Sequence, residues 1–437
     1  EDVASNPRII SPGDNENYTA YYKFPNHSNY LSAYSNNGSK QFLRTPDGRL
    51  HKAYESINGV WYEMSEDNGQ TWQIIGSNFN TNGWSSHQPS LSYYQDGADK
   101  IHVFMYYRLL RGEPNDWLQF QEYIYDSSPN PEIYESENLS PSNPIGGFTY
   151  TNPIIACAEN GKILFVWESS LNGVGQKLIY SYGKKLSNGY WEWYDTGTLE
   201  FTNNGAKNPT VVASQNLNDL KFHLAWNEGY EVYYTALYPD ASNHMLNTGK
   251  QWVSNGSGYP YNNKPSIIEM SNLARISWIG SRFIDESPTG QVEYKTILKN
   301  LGNNTYKRFG SNTTSVSLTR DEDNSEYFLA WSESNTHSNK FVTTINNFSQ
   351  IFNLAVTGDY VKLSTGDDPD NISAMIYNTA NQPYLFSKSS SLYDIMNPMN
   401  KITSLSINTG REGVVYIDTA QFYFAIGDIV VDNQTID

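Results

Sequence analysis

Four glutamates occupy equivalent places in a phrase that recurs along the chain, in which an apolar stretch is closed by an aromatic residue and then an acid. They are Glu55, Glu168, Glu228 and Glu333. Two carboxyl groups about 5 to 9 Å apart are what retaining and inverting glycoside hydrolases use to cleave a glycosidic bond. A ring of carboxylates also suits a neutral or cationic glycan, a peptide or a hydrated cation. The alternative is that each glutamate bonds a neighbouring lysine or backbone donor and only shapes a turn.

The aromatic anchor of this phrase recurs seven times. The anchors are Tyr54, Tyr106, Trp167, Trp226, Trp278, Trp331 and Tyr377, and successive anchors are 52, 61, 59, 52, 53 and 46 residues apart. Most are preceded by a strand-like segment with proline near its start, such as Gln88–Tyr94, and each is followed by a third strand-like segment. Proline is tolerated at the first residue of a strand. No long stretch has convincing helical periodicity, so the sequence predicts a nearly all-β chain.

The repeat length is somewhat above that of a four-stranded propeller blade. We therefore expect an all-β fold, a seven-bladed β-propeller of four-stranded blades with a short C-terminal β extension, because ring closure removes exposed strand edges. Residues 1–400 are predicted to form the propeller, with Tyr18–Phe24 as a possible outer strand that closes the ring. Residues 401–437 are predicted to be a β-strand extension or the start of a further β module.

Propeller geometry predicts which residues meet at the ligand-binding face. The loops between second and third strands and those between blades gather around the axis on one face, where ligands usually bind. The ends of the second strands bring Glu55, Tyr107, Glu168, Glu228 and Glu333, and the blade entrances bring Trp84, His87, Asn152, Asn208 and Lys264. These ten residues are the predicted ligand-binding surface, and the sequence assigns none of them a catalytic role.

Histidine and tyrosine offer a second route to catalysis. Some propeller-fold polysaccharide lyases use His and Tyr as acid and base, with an Arg that neutralises a uronate. The candidates here are His51, His87, His102 and Tyr54. His51 and His102 hold equivalent mid-strand places, which favours a structural role, whereas His87 lies at a blade entrance.

The turn after the third strand of the first repeat carries a family resemblance. Read as Ser-x-Asp-x-Gly-x-Thr-Trp, the residues Ser65, Asp67, Gly69, Thr71 and Trp72 resemble the Asp-box, or BNR repeat, of the sialidase-like propeller superfamily. In that superfamily the Asp-box is a structural turn on the side away from the ligand funnel. Sialidases also use an arginine triad that begins in an Arg-Ile-Pro motif, which Ser35–Lys40 lacks, and the ten arginines show no triad pattern. The resemblance thus implies a non-sialidase member.

The charge balance disfavours several classes of partner. Lys and Arg number 29 against 46 Asp and Glu, a net charge of −17, which disfavours nucleic acid and anionic membranes. No apolar run approaches the roughly 20 residues of a spanning helix, so no membrane insertion is expected. The single cysteine, Cys157, excludes an internal disulfide and a thiolate zinc cluster. The acidic turns at 321–325 and 366–371 could hold Ca²⁺ but lack EF-hand spacing, so the identity of any metal is open and no other cofactor is expected.

Composition indicates how such a protein meets its partners. The chain has 34 Tyr and 11 Trp but is only 17% charged, which is typical of a β-rich protein with aromatic and amide contact surfaces. We expect a secreted or bacterial cell-surface propeller that binds a carbohydrate or another extracellular polymer without cleaving it. The alternatives are a carbohydrate-active enzyme, either glycoside hydrolase or polysaccharide lyase, that uses the same funnel, and a structural block that self-assembles into a surface layer or filament.

Overall fold

The computed structural model describes most of the chain from residue 40 onwards. The described residues are 40–56, 59–78, 85–97, 99–110, 116–126, 131–134, 148–171, 174–186, 190–199, 202, 205–214, 216–270, 273–284, 291–302, 305–321, 326–364, 371–378, 384–391, 414–417, 421–426 and 429–435. The predicted closing strand Tyr18–Phe24, Trp84, and the acidic turns at 322–325 and 366–370 lie outside them.

The first three repeats each form a four-stranded antiparallel sheet whose strands follow chain order. Blade one contains β1 (Phe42–Arg44), β2 (Leu50–Ser56), β3 (Gly59–Ser65) and β4 (Gln73–Asn78). Blade two contains β5 (Ser85–Gln95), β6 (Ile101–Leu110), β7 (Asp116–Tyr125) and β8 (Glu132–Tyr134). Blade three contains β9 (Phe148–Cys157), β10 (Lys162–Leu171), β11 (Val174–Lys185) and β12 (Trp191–Thr198).

The next three repeats form blades of the same kind. Blade four contains β13 (Ala206–Ala213), β14 (Phe222–Glu228), β15 (Glu231–Pro239), β16 (Met245–Asn247) and β17 (Gln251–Trp252), the last two both pairing with β15. Blade five contains β18 (Tyr261–Met270), β19 (Leu273–Phe283), β20 (Val292–Asn300) and β21 (Tyr306–Phe309). Blade six contains β22 (Thr313–Arg320), β23 (Tyr327–Glu333), β24 (Ser338–Thr343) and β25 (Phe352–Thr357). Short 3-10 helices at Leu217–Asp219 and Thr344–Asn346 lie in the connections.

The seventh repeat departs from the prediction. Around Tyr377 the described residues form a sheet of only three strands, β26 (Tyr360–Ser364), β27 (Asn371–Asn378) and β28 (Tyr384–Ser391). The structure thus has an all-β propeller with six blades of four or more strands, not seven four-stranded blades. The predicted outer strand of the seventh lies beyond the described residues. Residues 414–435 form a further sheet of their own, with β29 (Val414–Ile417), β30 (Gln421–Ile426) and β31 (Ile429–Thr435).

Buried serines join the innermost strands of neighbouring sheets. The hydroxyl of Ser266 accepts a hydrogen bond from the Leu318 N–H at 3.1 Å, and Ser317 accepts from the Leu363 N–H at 3.0 Å. Ser364 then accepts from the Arg44 N–H at 2.8 Å, so the three-stranded sheet is bonded to both blade six and blade one. A hydroxyl in an apolar strand is costly to bury without such a partner. These serines therefore fix the spacing of the inner strands.

The aromatic anchors form the core between the sheets. The anchors Tyr54, Tyr106, Trp167, Trp226, Trp278, Trp331 and Tyr377 are all buried. Each belongs to an apolar cluster shared by two neighbouring sheets; that of Tyr54 and Tyr377, for example, also contains Phe42. Their burial drives the sheets together, since each large aromatic removes roughly 150 to 250 Å² from water.

The turn between β3 and β4 is held by hydrogen bonds to the Asp67 carboxylate. Asp67 accepts from the Ser65 hydroxyl at 2.7 Å, and from the N–H and hydroxyl of Thr71 at 2.8 and 2.6 Å. Gly69 adopts φ +87°, which a side chain would strain. The Trp72 indole N–H donates to the Gly69 carbonyl at 3.1 Å. Because strands alternate in direction, this turn lies on the face opposite the blade entrances.

Within the described part of the chain, no helix has the length and apolar character needed to cross a bilayer.

Candidate functional site

A strained residue lies near the start of the inner strand in each of four consecutive blades, two to five. These four residues, here named the bulge ring, are Gln88, Asn152, Asn208 and Lys264, with φ values of +55°, +50°, +51° and +50°. A register shift in the pairing with the second strand includes the residue in each of these blades. Left-handed backbone is uncommon outside glycine, and bulges re-aim side chains. The ring therefore places polar side chains around the blade-entrance end of the propeller axis.

Two of the predicted site glutamates, Glu55 and Glu168, accept hydrogen bonds from residues of this ring. Glu55 accepts a hydrogen bond from the Gln88 N–H and lies 3.2 Å from His87 Nδ1. Glu168 Oε1 accepts from the Asn208 N–H and from the Asn152 amide, both at 2.6 Å. A carboxylate at the end of one blade's second strand thus ties down the entrance of the next. Of the predicted site residues, the structure brings Asn152, Glu168 and Asn208 into direct contact.

The bulge-ring amides also bond one another. Gln88 exchanges two hydrogen bonds with Asn152, through the Asn152 N–H at 2.9 Å and the Asn152 Oδ1 at 3.1 Å. The amide of Asn208 donates to Asn227 Oδ1 at 2.7 Å. Asn227 is fully buried, and its own Nδ2 has no partner among the described residues. The bulge-ring amides therefore form a hydrogen-bonded network beside a buried donor, Asn227 Nδ2, that has no partner among the described residues.

The other two predicted glutamates are paired with lysine. Glu228 accepts from Lys250 Nζ, and from the Trp226 indole at 2.9 Å. Glu333 accepts from Lys340 Nζ at 2.7 Å and from the Trp331 indole at 3.0 Å. In both blades the glutamate follows its aromatic anchor by two residues and satisfies the buried indole N–H. Both side chains therefore bond a lysine and a buried indole.

Environment separates the glutamates chemically. Burial raises the pKa of Glu168 above its usual value, even though hydrogen bonds from Asn152, Asn208 and Thr151 act in the opposite direction. Burial also acts to raise the pKa of Glu333, but hydrogen bonds from Lys340, Trp331 and the Ser311 N–H outweigh it and hold the pKa below its usual value. Carboxyl groups whose pKa values are driven apart are the usual basis of acid and base roles.

The remaining predicted residues are placed as follows. Tyr107 is buried and donates from its hydroxyl to Gln119 at 3.2 Å. His87 lies between Glu55 and the Ser85 hydroxyl, 2.8 Å from the latter. Trp84 is outside the described residues. Tyr107 therefore presents no surface to a ligand.

A cavity of about 630 Å³ runs along the propeller axis. The inner strand of every one of the six blades, and β26 of the three-stranded sheet, contributes to its lining. It extends to the turns that follow the inner strands, at Asp96–Asp99 and Glu159, which lie on the face opposite the bulge ring. The cavity thus reaches the face opposite the predicted ligand-binding surface.

Two lysines, Lys362 and Lys40, line this channel, and Lys264 of the bulge ring lies close enough for its charge to act on Lys362. Lys362 is 4% exposed on β26, and burial together with the charge of Lys264 lowers its pKa from 10.5 to about 7. Burial lowers the pKa of Lys264 as well. Lys40 comes from the first blade, and its charge acts on Cys157 of the third. The carboxylates among the described lining residues, Asp96, Asp99 and Glu159, all lie in turns at one end.

Sequence reasoning found one of these lysines and missed two. Lys264 was identified at its blade entrance, whereas Lys362 lies within the segment Tyr360-Val-Lys-Leu-Ser364, before the anchor Tyr377. A lone lysine in an otherwise apolar inner strand is the signal that identifies it. Lys40 precedes β1 and has no such signal.

The candidate histidines have their ring nitrogens occupied. His51 contacts Thr45 Oγ1 at 3.0 Å and Tyr62 Oη at 2.7 Å, and burial lowers its pKa from 6.5 to about 3. His102 contacts Glu122 at 2.7 Å and Asp96 at 3.2 Å. It lines a smaller cleft of about 390 Å³ between blades two and three. Neither ring presents a nitrogen that is ready to take a substrate proton.

Tyr54, the fourth candidate, is fully buried and donates to Glu63 at 2.5 Å.

No group of three or more His, Cys, Asp or Glu side chains suited to a metal ion occurs among the described residues. Of the two acidic turns predicted as possible Ca²⁺ sites, only Asp321 and Asn371 at their ends are described. Asp321 is buried, and its N–H donates to the Glu326 carbonyl as part of a strand turn. Calcium binding therefore stays a prediction.

No protein-family model and no curated protein sequence matches the chain. Similar solved structures include an α-L-arabinofuranosidase of Fusarium graminearum, at 12% identity and a TM-score of 0.47, covering 81% of this chain and 93% of that one. An α-L-arabinanase of Penicillium chrysogenum complexed with arabinobiose has 10% identity and a TM-score of 0.46, covering 81% and 94%. An ulvan lyase of polysaccharide lyase family PL25 has 12% identity and a TM-score of 0.43, covering 84% and 99%. At such low similarity, function has to be argued from this chain's own residues.

Proposed function

We propose that this protein is a carbohydrate-active enzyme that binds an acidic saccharide at the blade-entrance end of its channel. The observation that carries the proposal is that Lys362 lines the channel and lies close enough to Lys264, a member of the bulge ring, to feel its charge. Lysines supply charge for a carboxylate or sulfate, and amides supply paired donors and acceptors for hydroxyl groups. The earlier expectation of a neutral or cationic ligand rested on the glutamates, whose hydrogen bonds are largely taken up within the protein.

Catalysis is assigned to Glu168. Its raised pKa favours the protonated form that a general acid needs, and its Oε2 atom has a single hydrogen bond among the described residues, from the Thr151 hydroxyl at 3.0 Å. In hydrolysis, Glu168 would give its proton to the departing glycosidic oxygen as the bond to the anomeric carbon breaks. Water would add its hydroxide to that carbon and pass its proton to a second carboxylate, for which Glu228, paired with Lys250, is the candidate.

The test is the substitution Glu168→Gln, assayed by release of reducing sugar and by the ultraviolet absorbance of unsaturated uronate. We expect about a hundredfold or greater loss of rate with saccharide affinity retained, as removal of a general acid predicts. Glu192→Gln, an exposed glutamate on the outer strand of the same blade, is the matched control. Turnover that survives in Glu168→Gln would contradict the catalytic role.

Binding without turnover is the second candidate function, because two of the three described hydrogen bonds of Glu168 serve to position the bulge ring. An array of neutral and acidic oligosaccharides distinguishes the two. Binding of acidic members with no product by either assay would support a non-catalytic binder. Absence of any preference for acidic members would contradict both readings.

We also propose that the three-stranded sheet is the seventh blade and that the β3–β4 turn is an Asp-box of the sialidase-like superfamily. The serine bonds that join β26 to both neighbours support the first proposal. The three hydrogen bonds accepted by Asp67 support the second.

A further inference from the structure

Beside the bulge ring, blades four and five expose a group of aromatic rings. Tyr230, in the turn between β14 and β15, is 65% exposed, and Tyr294 on β20 is 40% exposed. Tyr261 begins β18, and Phe283 ends β19. We name Tyr230, Tyr261, Phe283 and Tyr294 the aromatic platform. All four belong to the blade-entrance face, because they lie at strand ends or turns on that side.

Three rings of the platform pack against one another. Tyr230 and Tyr261 meet edge to face, with centroids 4.9 Å apart, and Tyr261 meets Phe283 in the same way at 5.9 Å. The Asn262 N–H donates to the Tyr230 carbonyl at 2.8 Å and fixes the turn against β18. Register pairing of Tyr261 and of Tyr294 with Ser281 puts both side chains on one face of the sheet. Ordered aromatic surface is bound at little entropic cost.

The platform residues are close in sequence to residues of the proposed saccharide site. Tyr261 is three residues before Lys264 on the same strand, and Tyr230 is two residues after Glu228. The polar edge of the platform consists of the phenol hydroxyls of Tyr230, Tyr261 and Tyr294. Aromatic faces are electronegative and attract the weakly positive C–H groups of a sugar ring, while polar edge groups can meet its hydroxyls. An apolar peptide would gain nothing from this polar edge.

We propose that the aromatic platform is a subsite that stacks a sugar ring of the same saccharide whose acidic residue enters the channel. The inference rests on the proposed function. It adds that the ligand is an oligosaccharide long enough to reach both places, with an acidic residue at the lysines and a further ring over Tyr230 and Phe283.

The experiment compares two variants. The platform variant carries both Tyr230→Ala and Phe283→Ala, and the control variant carries Tyr190→Ala. Tyr190 is 73% exposed, in the β11–β12 turn on the opposite face, so it controls for the loss of an exposed tyrosine. Affinities are measured by calorimetry for oligogalacturonides from dimer to hexamer and for neutral cello-oligosaccharides of the same lengths. Circular dichroism and thermal melting confirm that each variant is folded.

We expect the platform variant to lose about tenfold in affinity for the longer acidic oligomers, equivalent to about 1.4 kcal/mol, and little for the dimer. Tyr190→Ala should match the wild type at every length. An unchanged length dependence, or an equal loss at all lengths, would overturn the platform while leaving the proposed function intact.

A wild-type protein that binds no acidic oligomer would overturn the proposed function instead. The neutral series then decides on the platform alone. If the wild type binds neutral oligosaccharides and the platform variant does not, the stacking subsite is supported. If the wild type binds no neutral oligosaccharide either, the subsite is overturned.

Discussion

Replacing Lys362 by methionine should stabilise the protein at neutral pH. Lys362 is 4% exposed, and burial together with the neighbouring charge of Lys264 lowers its pKa from 10.5 to about 7. Methionine keeps most of the length and apolar stem of lysine and removes the ionisable group. The substitution therefore isolates the cost of placing this charge in the channel.

The sign follows from proton binding in the two states. Between pH 10.5 and about pH 7 the unfolded chain holds a proton on Lys362 that the folded chain does not, so stability falls as pH falls through this window. Below about pH 7 both states are protonated and the full cost is present. With 1.36 kcal/mol per pKa unit, the cost reaches about 4 kcal/mol near neutral pH, and the lost packing of the ammonium group reduces the gain.

The measurement is urea unfolding of wild type and Lys362→Met at several pH values between about 6 and 9. The advantage of the variant should shrink by up to about 1.4 kcal/mol for each pH unit above neutrality. Lys52→Met is the matched control, because Lys52 is equally buried but bonded to Glu63 at 3.0 Å. Removing a partner of a buried ion pair costs about 3 to 5 kcal/mol, so the control should destabilise.

A Lys362→Met variant that is less stable than the wild type, or whose advantage does not change with pH, would refute the reasoning. Charge on Lys362 would then not lower the free energy of unfolding, and the proposed acidic ligand would lose its main support.

Two further predictions concern the fold. Trp226→Phe should lower the free energy of unfolding in urea by about 1 to 3 kcal/mol more than Trp167→Phe. The reason is that the Trp226 indole N–H bonds Glu228, whereas the Trp167 indole N–H has no partner among the described residues. Equal losses would show that the Trp226–Glu228 bond contributes nothing to stability. Asp67→Ala should cost about 0.5 to 1.5 kcal/mol in urea unfolding, because it removes hydrogen bonds to Ser65 and Thr71 while Thr71 is exposed to water. Saccharide affinity should not change, since the turn faces away from the blade entrances; a loss of affinity at unchanged stability would place the turn in the binding site.

The repeat pattern predicts the sheets well because each blade is a local unit. An anchor such as Trp226 marks a second strand, and the proline-led segment before it marks an inner strand, Ala206–Ala213. The last repeat was overcounted because the phrase around Tyr377 identifies a second strand but carries no information on whether a fourth strand pairs at the edge. Edge pairing depends on segments distant in sequence.

The chemistry of the site was harder to predict because it depends on contacts between blades. Sequence spacing identifies Glu168 as a strand-end residue, but its hydrogen-bond partners Asn152 and Asn208 are 16 and 40 residues away in sequence. The proximity of Lys264 and Lys362 depends on ring closure over 98 residues of chain. Spacing within one repeat cannot reveal which side chains face one another across the axis.

The acidic surface and the lysines of the channel together restrict the range of ligands that fit the proposal. A net charge of −17 repels a long polyanion at a distance, whereas the lysines act only within the channel. At physiological ionic strength, surface charges are screened beyond about 8 Å, while partly buried charges such as Lys264 and Lys362 are screened much less. A short saccharide with one or a few acidic groups therefore meets little repulsion and still gains the contact with both lysines. The same balance works against nucleic acids and other densely charged polymers, whose many phosphates remain outside the channel against the acidic surface.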